Sequence, residues 1–430
     1  MITAIEMKEF DDRLIEGYEL SLDERAYLQS LATIKSPAYW EKRFIFDELR
    51  TGLRIRSQSW VGVIELERVR ISIRPKFDQG FCSLLSMISF TEKLPFYSWH
   101  QTSAEWDSNN LMELLVRYFI DQLEQLWHKG LFKDYVTEED NLKQFRGSPD
   151  LLQNMRVNYG LPSRIYCRYD ELVTNTPENQ VILLALEVAS KFRLNQATCQ
   201  KVNRYRSEFK MLCEAHQGND WPIFHYNRLN QHYEPVHVLA RYIVEQLAVN
   251  DIYQTSRSSF FSMMIDMNQL FEDFVGTYLK RYLPNKYKVE SQRRITDAIQ
   301  VGGSSYRHMI PDLLVQDTTT KQIRVLDVKY KNYGAKNVEN ADLYQLAFYA
   351  QYFNREHQSP HHSVIVYPRF KDNPEDGAVQ IELLRGTPAE GYLSTKCLRI
   401  ESVLELIATR NEVELRELAV WLVAGNQTYI

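Results

Sequence analysis

The chain has 430 residues, 44% hydrophobic and 25% charged, enough to bury real cores in about two to four domains of roughly 100–200 residues each. Lys and Arg (51) against Asp and Glu (56) leave a net charge of −5, which excludes a globally cationic nucleic-acid coat but allows a local basic track beside a site. Abundant Tyr (26) and Phe (20) beside scarce Gly (16) and Pro (14) argue against long disordered tails. Cys82, Cys167, Cys199, Cys213 and Cys397 are scattered and form no CxxC pair, which argues against a disulfide framework and a cysteine zinc site. The opening Met1 to Phe10 carries Glu6, Lys8 and Glu9 where a signal peptide would be apolar, and no apolar run of about 18 residues occurs. Cytoplasm is therefore expected, and no membrane contact.

Residues 1–85 predict a small β-rich domain. SWVGVIEL (59–66) is followed by VRISIRPKF (69–77), where Val69, Ile71 and Ile73 alternate with Arg70, Ser72 and Arg74. Such period-two alternation marks a half-buried strand with one wet, basic face, ended by Pro75. Residues 86–255 turn to helical spacing, as in LMELLVRYFIDQLEQL (111–126), 180–192 and 233–249. The second of these helices is entered through Asn175-Thr176-Pro177-Glu178-Asn179, where Asn175 or Thr176 is expected to cap the first amides and Pro177 suits the first turn. Residues 256–430 are mixed: a helix over 265–282, strands over 286–293, 308–315 and 323–330, a helix over 340–353 and a strand over 364–368. A strand near 379–384 and helices over 401–410 and 412–423 follow. The whole reads as an α+β multidomain chain with a β-rich first domain, a helical middle and an α/β last domain around a central mixed sheet.

The chemistry gathers in the last part. In IRVLDVKYK (323–331), Asp327 and Lys329 are two apart and share one strand face. Alone, such a triplet is as readily a surface salt pair. Pro311-Asp312 opens the preceding strand, and the polar turn Asp317-Thr318-Thr319-Thr320-Lys321 allows a hairpin that sets Asp312 beside Asp327. Two adjacent carboxylates raise each other's pKa unless a cation lies between them, and hard oxygen ligands of this kind suit Mg²⁺ (or Mn²⁺). Glu272 sits at the border of the apolar stripe Leu270, Phe271, Phe274, Val275, Tyr278 and Leu279, placed either to reach over the sheet edge or to stay a solvated flank. Gln345 and Tyr349, four apart, share one helix face, suited to phosphate, base or metal-water contacts or simply to solvent. Lys280, Arg281, Lys286, Lys288, Arg293 and Arg294 run against the single acid Glu290, either as a track for DNA phosphates or as a charged edge strand. No GxxxxGK[ST] loop occurs, so no P-loop nucleotide site is expected on this chain.

A helical Glu, Pro-Asp, Asp-x-Lys and Gln-x-x-x-Tyr, in this order, resemble the PD-(D/E)xK nuclease superfamily in its RecB-like variety. Further matches resemble the McrC family, nuclease subunits of McrBC-type modification-dependent restriction systems. They are Trp60-Val61-Gly62-Val63-Ile64, Ile73-Arg74-Pro75-Lys76-Phe77, Tyr169-Asp170-Glu171, Asn175-Thr176-Pro177-Glu178-Asn179, Leu270-Phe271-Glu272 and 325–331. Asn175 stands where that pattern has an acidic residue. The resemblance implies a Mg²⁺-dependent endonuclease subunit that hydrolyses phosphodiesters in double-stranded, modified DNA. It would dock its N-terminal domain on a McrB-like AAA+ GTPase or ATPase ring and stimulate it. Asp312, Asp327 and Glu272, with the carbonyl of Val328, would hold the metal; Lys329 would orient or deprotonate the attacking water. Gln345 and Tyr349 would hold the substrate. Arg54, Arg56, Arg68, Arg70 and Arg74 are partner-binding candidates by position, with a DNA strip or a plain solvated face as equal alternatives. The rival readings are a RecB-like repair nuclease without a ring motor and an inactive adaptor of an AAA+ ring.

Overall fold

A computed structural model describes residues 3–35, 40–77, 79–95, 110–159, 163–218, 220–248, 260–331, 338–354, 361–370, 379–387 and 390–424. From the N-terminus run β1 (Thr3–Lys8), β2 (Asp12–Glu16), α1 (Leu22–Ala32), β3 (Thr33–Lys35), β4 (Trp40–Lys42), β5 (Phe44–Leu49), β6 (Gly52–Ser57), β7 (Trp60–Glu65), β8 (Val69–Arg74) and α2 (Phe81–Thr91). The middle holds α3 (Leu111–Lys129), β9 (Asp134–Leu142), β10 (Ser148–Pro149), α4 (Leu151–Asn158), β11 (Ile165–Val173), α5 (Pro177–Ala189), α6 (Gln196–Lys210) and α7 (Glu234–Ala248). Then come β12 (Phe261–Asp266), α8 (Met267–Tyr282), β13 (Tyr287–Ser291), β14 (Ile295–Val301), β15 (Ser304–Met309), β16 (Leu313–Asp317) and β17 (Ile323–Val328). The chain ends in α9 (Asn340–Phe353), β18 (His361–Pro368), β19 (Gln380–Leu383), β20 (Gly391–Leu398), α10 (Ile400–Thr409) and α11 (Glu412–Val423). Among the described residues no helix is long and apolar enough to cross a membrane.

Two compact units form: Met1–Leu111 with Tyr253–Ile430, and Met112–Ile252. Boundaries at 85 and 255 follow changes of periodicity, whereas the contacts follow strand pairing. β12 pairs antiparallel with β7, so the first and last parts of the chain share a sheet of order β1-β8-β7-β12. Every residue of β7 is buried, which explains why SWVGVIEL reads as nearly continuous apolar sequence. The closest approach in that sheet is at Gly62 (φ 150°), where a Cβ would lie 1.8 Å from the carbonyl oxygen of Met263.

The larger sheet of the same unit has the order β13-β16-β17-β18-β20-β19. Its β13, β16 and β17 are antiparallel, β17, β18 and β20 are parallel, and β19 returns antiparallel to β20. One face packs on α9 through Leu314, Val325, Ile365, Tyr367 and Leu393 around Leu346. The other faces α8, where Gly276 lets the helix come so close that a Cβ would lie 3.2 Å from Leu313 Cδ2. The single strand expected over 308–315 is two elements, because Pro311 has no N–H to give a ladder. β14 and β15 instead form their own hairpin around Gly302 and Gly303, both at positive φ.

The unit Met112–Ile252 has helices α3 to α7 and also a three-stranded antiparallel sheet, β10-β11-β9, that helical spacing did not foretell. At the entry to α5, Thr176 is the N-cap residue and Pro177 fills the first turn, but no side chain caps the amides. The buried amide of Asn179 donates to Thr176 Oγ1 at 3.3 Å, and Asn175 Oδ1 accepts instead from Glu214 N at 3.1 Å.

Gly62→Ala forces its methyl into the Met263 carbonyl and takes an L-residue out of its allowed backbone region. The expected result is a melting temperature lower by roughly 5–10 °C, or insoluble protein, measured by thermal unfolding against the parent.

Candidate active site

The hairpin β16–β17 sets the register of the site. Leu313 faces Leu326, so the next pair outward is Asp312 and Asp327. Asp312 is fixed from both sides: Val328 N donates to its Oδ2 at 2.8 Å, and Gln292 N donates to its carbonyl at 2.9 Å. Asp327 is 4% exposed, and its carboxyl stands close enough to hydrogen-bond that of Asp312. Lys329, held through its N–H to Val366 O at 2.9 Å, brings Nζ to 3.0 Å from Asp327 Oδ2. That oxygen is buried, and among the described residues it faces the Lys329 ammonium as its ion-pair partner.

Burial dominates the electrostatics. Desolvation, followed by the charge of Asp312, pushes Asp327 up to about 7, against the pull of Lys329. Asp312 is raised for the same first reason and then by Glu272, while the Val328 amide lowers it. Burial opposes the charged form of Lys329, but Asp327, Asp312 and Asp342 outweigh it and hold the ammonium above its usual range. A buried and a half-buried carboxylate side by side are the hard oxygen donors that a small divalent cation takes.

Glu272 arrives from α8 on the opposite face of the sheet. Asp266 caps that helix by accepting from Asn268 N at 2.9 Å. The Glu272 carboxylate accepts from Gln292 Nε2 at 3.0 Å, and burial, ahead of every charge near it, raises its pKa. It feels Lys329 and Asp327 as charges. Among the described residues no three His, Cys, Asp or Glu side chains are closed to metal-ligand spacing, so the three carboxylates are not a ready cage. Gln345 and Tyr349 hydrogen-bond each other at 3.3 Å, Gln345 exposed and Tyr349 against the α9 core.

Two site residues escaped the sequence reading. Asp342 is buried, 3.9 Å from Lys329 Nζ and 4.0 Å from Lys331 Nζ. The signal was its spacing of three and seven residues from Gln345 and Tyr349, one helix face. Gln292, which bridges Asp312 and Glu272, left no pattern of its own.

The basic run divides. Glu290 pairs with Lys288 at 2.6 Å and with Arg293 at 3.1 Å. Arg293 and Arg294 follow Gln292 and so lie at the carboxylate end. Lys286, whose carbonyl accepts from Thr318 N, is at the opposite end of β13, about 17 Å away along the strand. Lys280 and Arg281 close α8, Arg281 lying over the Phe90 ring at 5.7 Å. The five arginines of the N-terminal part all have partners of their own. Arg54 pairs with Asp12, Arg56 with Asp47, Arg70 with the buried Glu65 and Arg74 with Glu6, while Arg68 lies over Tyr18. They do not form a free cationic face.

A different surface stands out in the unit Met112–Ile252. The sheet β10-β11-β9 and helix α4 carry exposed Tyr135, Phe145, Leu151, Leu152, Met155 and Tyr159, with Leu152 and Met155 each 72% exposed. Leu151, Leu152, Met155 and Tyr159 are one outward stripe at helical spacing, which the sequence reading passed over.

The family model for the McrBC 5-methylcytosine restriction system component matches residues 55–368. The chain belongs to this family. No curated protein matches the sequence. A solved structure described as the refined half-complex from a tetradecameric assembly of Thermococcus gammatolerans McrB AAA+ hexamers with bound McrC is 16% identical, with a TM-score of 0.67. The similarity covers 92% of this chain and 95% of that one, and shows a shared fold. The cryo-EM structure of the Thermococcus gammatolerans McrBC complex is 18% identical over 65% of this chain and 88% of that one, with a TM-score of 0.49. In this McrBC-family chain the matched span takes in β7, the arm around α4 and the whole carboxylate–lysine site, and it ends with β18.

Asp327 holds its proton more tightly folded than unfolded. Its contribution is therefore stabilising at low pH and is lost as pH rises from the ordinary aspartate range through about 7. Glu9, also pushed up to about 7 by burial, adds a like slope. In EDTA, the melting temperature of the McrBC-family chain should fall between about pH 4 and 7. Asp327→Asn should flatten part of that fall, and Mg²⁺ should raise the melting temperature above pH 7 in the parent only.

Proposed function

We propose that this component of an McrBC-type restriction system is its metal-dependent DNA endonuclease subunit, of the PD-(D/E)xK type. The observation that carries the reading is the convergence of Asp312, Asp327 and Lys329 at one end of a mixed sheet, two carboxylates to one ammonium. A structural salt bridge would not leave the second carboxylate unaccounted for. Asp312 and Asp327 would hold Mg²⁺ or Mn²⁺, with Glu272 reaching it after releasing Gln292 and the Val328 carbonyl as a further donor. Such an ion supplies Lewis acidity at the phosphate and lowers the pKa of its water.

The protein's own groups account for the rest. Lys329, held charged by its acidic neighbours, orients the attacking water and offsets charge gathering on the phosphoryl oxygens. Asp342 keeps that ammonium from swinging away from Asp327. Gln345 and Tyr349 continue the Asp342 face of α9 and position the strand being cut. Arg293 and Arg294, beside Gln292, contact DNA phosphates without reading sequence. Double-stranded DNA, read for modification by the partner, is the substrate.

The partner is a McrB-like AAA+ ring. The solved relative that shares the fold is named for McrB AAA+ hexamers with bound McrC, which supports a hexameric motor as the partner; the apolar arm around α4 is the surface we assign to it. The arm is preferred over the five arginines because its side chains are exposed while theirs are engaged.

In a cleavage assay with Mg²⁺ and the motor protein, Asp327→Ala and Lys329→Ala should each lower cutting by about 10³-fold or more, as loss of a ligand or of a central charge does. Both should still stimulate the motor's nucleotide hydrolysis. Leu152→Asp with Met155→Asp should do the reverse, abolishing that stimulation without changing the melting temperature. Unimpaired cutting by Asp327→Ala would sink the endonuclease reading.

A further inference from the structure

One cluster of buried contacts in the unit Met1–Leu111 with Tyr253–Ile430 has no place in the chemistry above. Glu9, just past β1, is 1% exposed. Its Oε1 accepts from Tyr330 Oη and from Lys76 N, each at 2.7 Å, and its Oε2 is buried without a hydrogen bond among the described residues. Tyr330 is the residue after Lys329. Neighbours on an extended strand point to opposite sides, so as Lys329 turns to the carboxylates Tyr330 turns into the core. There its ring meets Phe271 at 5.8 Å, Phe77 at 6.3 Å and Phe370 at 5.7 Å. Phe271 is the residue before Glu272. The motif IRPKF, with no role in metal or DNA contact, supplies both the Lys76 amide and the Phe77 ring.

We infer that Glu9 and Tyr330 are positioning residues of the carboxylate–lysine site, through which the N-terminal strands hold Lys329 and Glu272 at their working distance. The inference rests on the endonuclease reading. β17 ends at Val328, so beyond it the backbone of Lys329 is held, among the described residues, by its own N–H to Val366 O and by the anchorage of Tyr330. Pulling Tyr330 by its ring also moves Phe271, and with it the turn of α8 that carries Glu272. Glu9 is the hydrogen-bond partner of the Tyr330 hydroxyl in this apolar pocket, and burial that pushes the acid up to about 7 makes a tether to strands distant in sequence costly to keep for stability alone. A purely structural site is filled more stably by apolar side chains of the same shape.

The experiment uses the full chain with the motor protein and measures Mn²⁺ affinity by calorimetry, DNA cleavage under saturating DNA, the KM for DNA and the melting temperature. Asp327→Ala sets the zero for both metal binding and cutting. Tyr330→Phe, which removes one oxygen, and Glu9→Leu are each expected to lower cutting on the order of 10- to 100-fold, because displacements of about 1 Å cost that much. Mn²⁺ binding should weaken in parallel while KM for DNA holds. Glu9→Gln, whose amide oxygen accepts both hydrogen bonds, should cut near the parental rate. The Glu9→Leu/Tyr330→Phe double substitution should lose no more than the worse single change, since both remove one interaction. Should Tyr330→Phe and Glu9→Gln both cut and bind Mn²⁺ as the parent does, the positioning role is overturned, whatever Glu9→Leu does to folding. Equal loss in Glu9→Gln and Glu9→Leu overturns it too. A parent that neither binds Mn²⁺ nor cuts overturns the endonuclease reading first, and this inference with it; indifferent variants beside an active parent overturn this inference alone.

Discussion

Two carboxylates set side by side at the end of a sheet, one buried and one half-buried, are the constraint around which the larger unit is arranged. Asp312 and Asp327 face each other in the first pair beyond the β16–β17 ladder, and both resist ionisation because water has been removed from them. A sheet does not tolerate such a pair without nearby positive charge and donors. Lys329 at 3.0 Å and the Val328 amide at 2.8 Å supply part of that. Neither reaches all the oxygens, and one ammonium is shared among the acids around it. The same geometry that makes the pair a liability for stability would suit it to a hard cation, so its pKa values and the chemistry proposed for it have one origin.

The tightness of this site depends on strands remote from it in sequence. Asp266, last residue of β12, caps α8, and β12 exists as a strand because β7 pairs with it. Ser59, just before β7, accepts from Met267 N at 3.0 Å and from Asn268 Nδ2 at 2.7 Å, so the start of the Glu272 helix is fastened to the N-terminal sheet. Glu9 fastens the end of β17 to the same sheet through Tyr330. The N-terminal strands are therefore part of the framework of the site, and the unit Met112–Ile252 is an excursion between two halves of one fold.

What could be read in advance was what local periodicity encodes. The alternation in VRISIRPKF, the apolar stripe of α8 and the polar turn between Asp312 and Asp327 each act over a few residues, and each gave the right element. Pairing of β7 with β12 leaves no local mark, because β12 (FSMMID) reads as a short apolar run of no fixed type. β9 was invisible for a different reason: seven of its nine residues are exposed and both faces are polar, so no alternation arises. Asp342 was hidden by its place in the first turn of α9, where an acid is ordinarily explained by the helix dipole. The α4 stripe drew no notice for a related reason, since spacing reports that a helix has an apolar side and not whether its own chain covers it.

The basic run over 280–294 shows how one stretch of sequence can answer to two constraints. β13 is the edge strand of the six-stranded sheet, and an open edge invites pairing with another chain. Lys288 and Glu290, on that strand, place a charge pair along the edge, and Glu290 takes up Arg293 as well. Two of the six cations, Lys288 and Arg293, are thus accounted for by protection and internal neutralisation. Arg294 has no acidic partner among the described residues and lies beyond the strand, two residues from the glutamine that bridges Asp312 and Glu272. A net-negative chain can approach DNA on these terms, because the attraction has to be felt only where the phosphate must stop. Lys286, about 17 Å along the strand from the carboxylate end, and the cations that close α8 contribute to the edge and to the helix whether or not DNA is present.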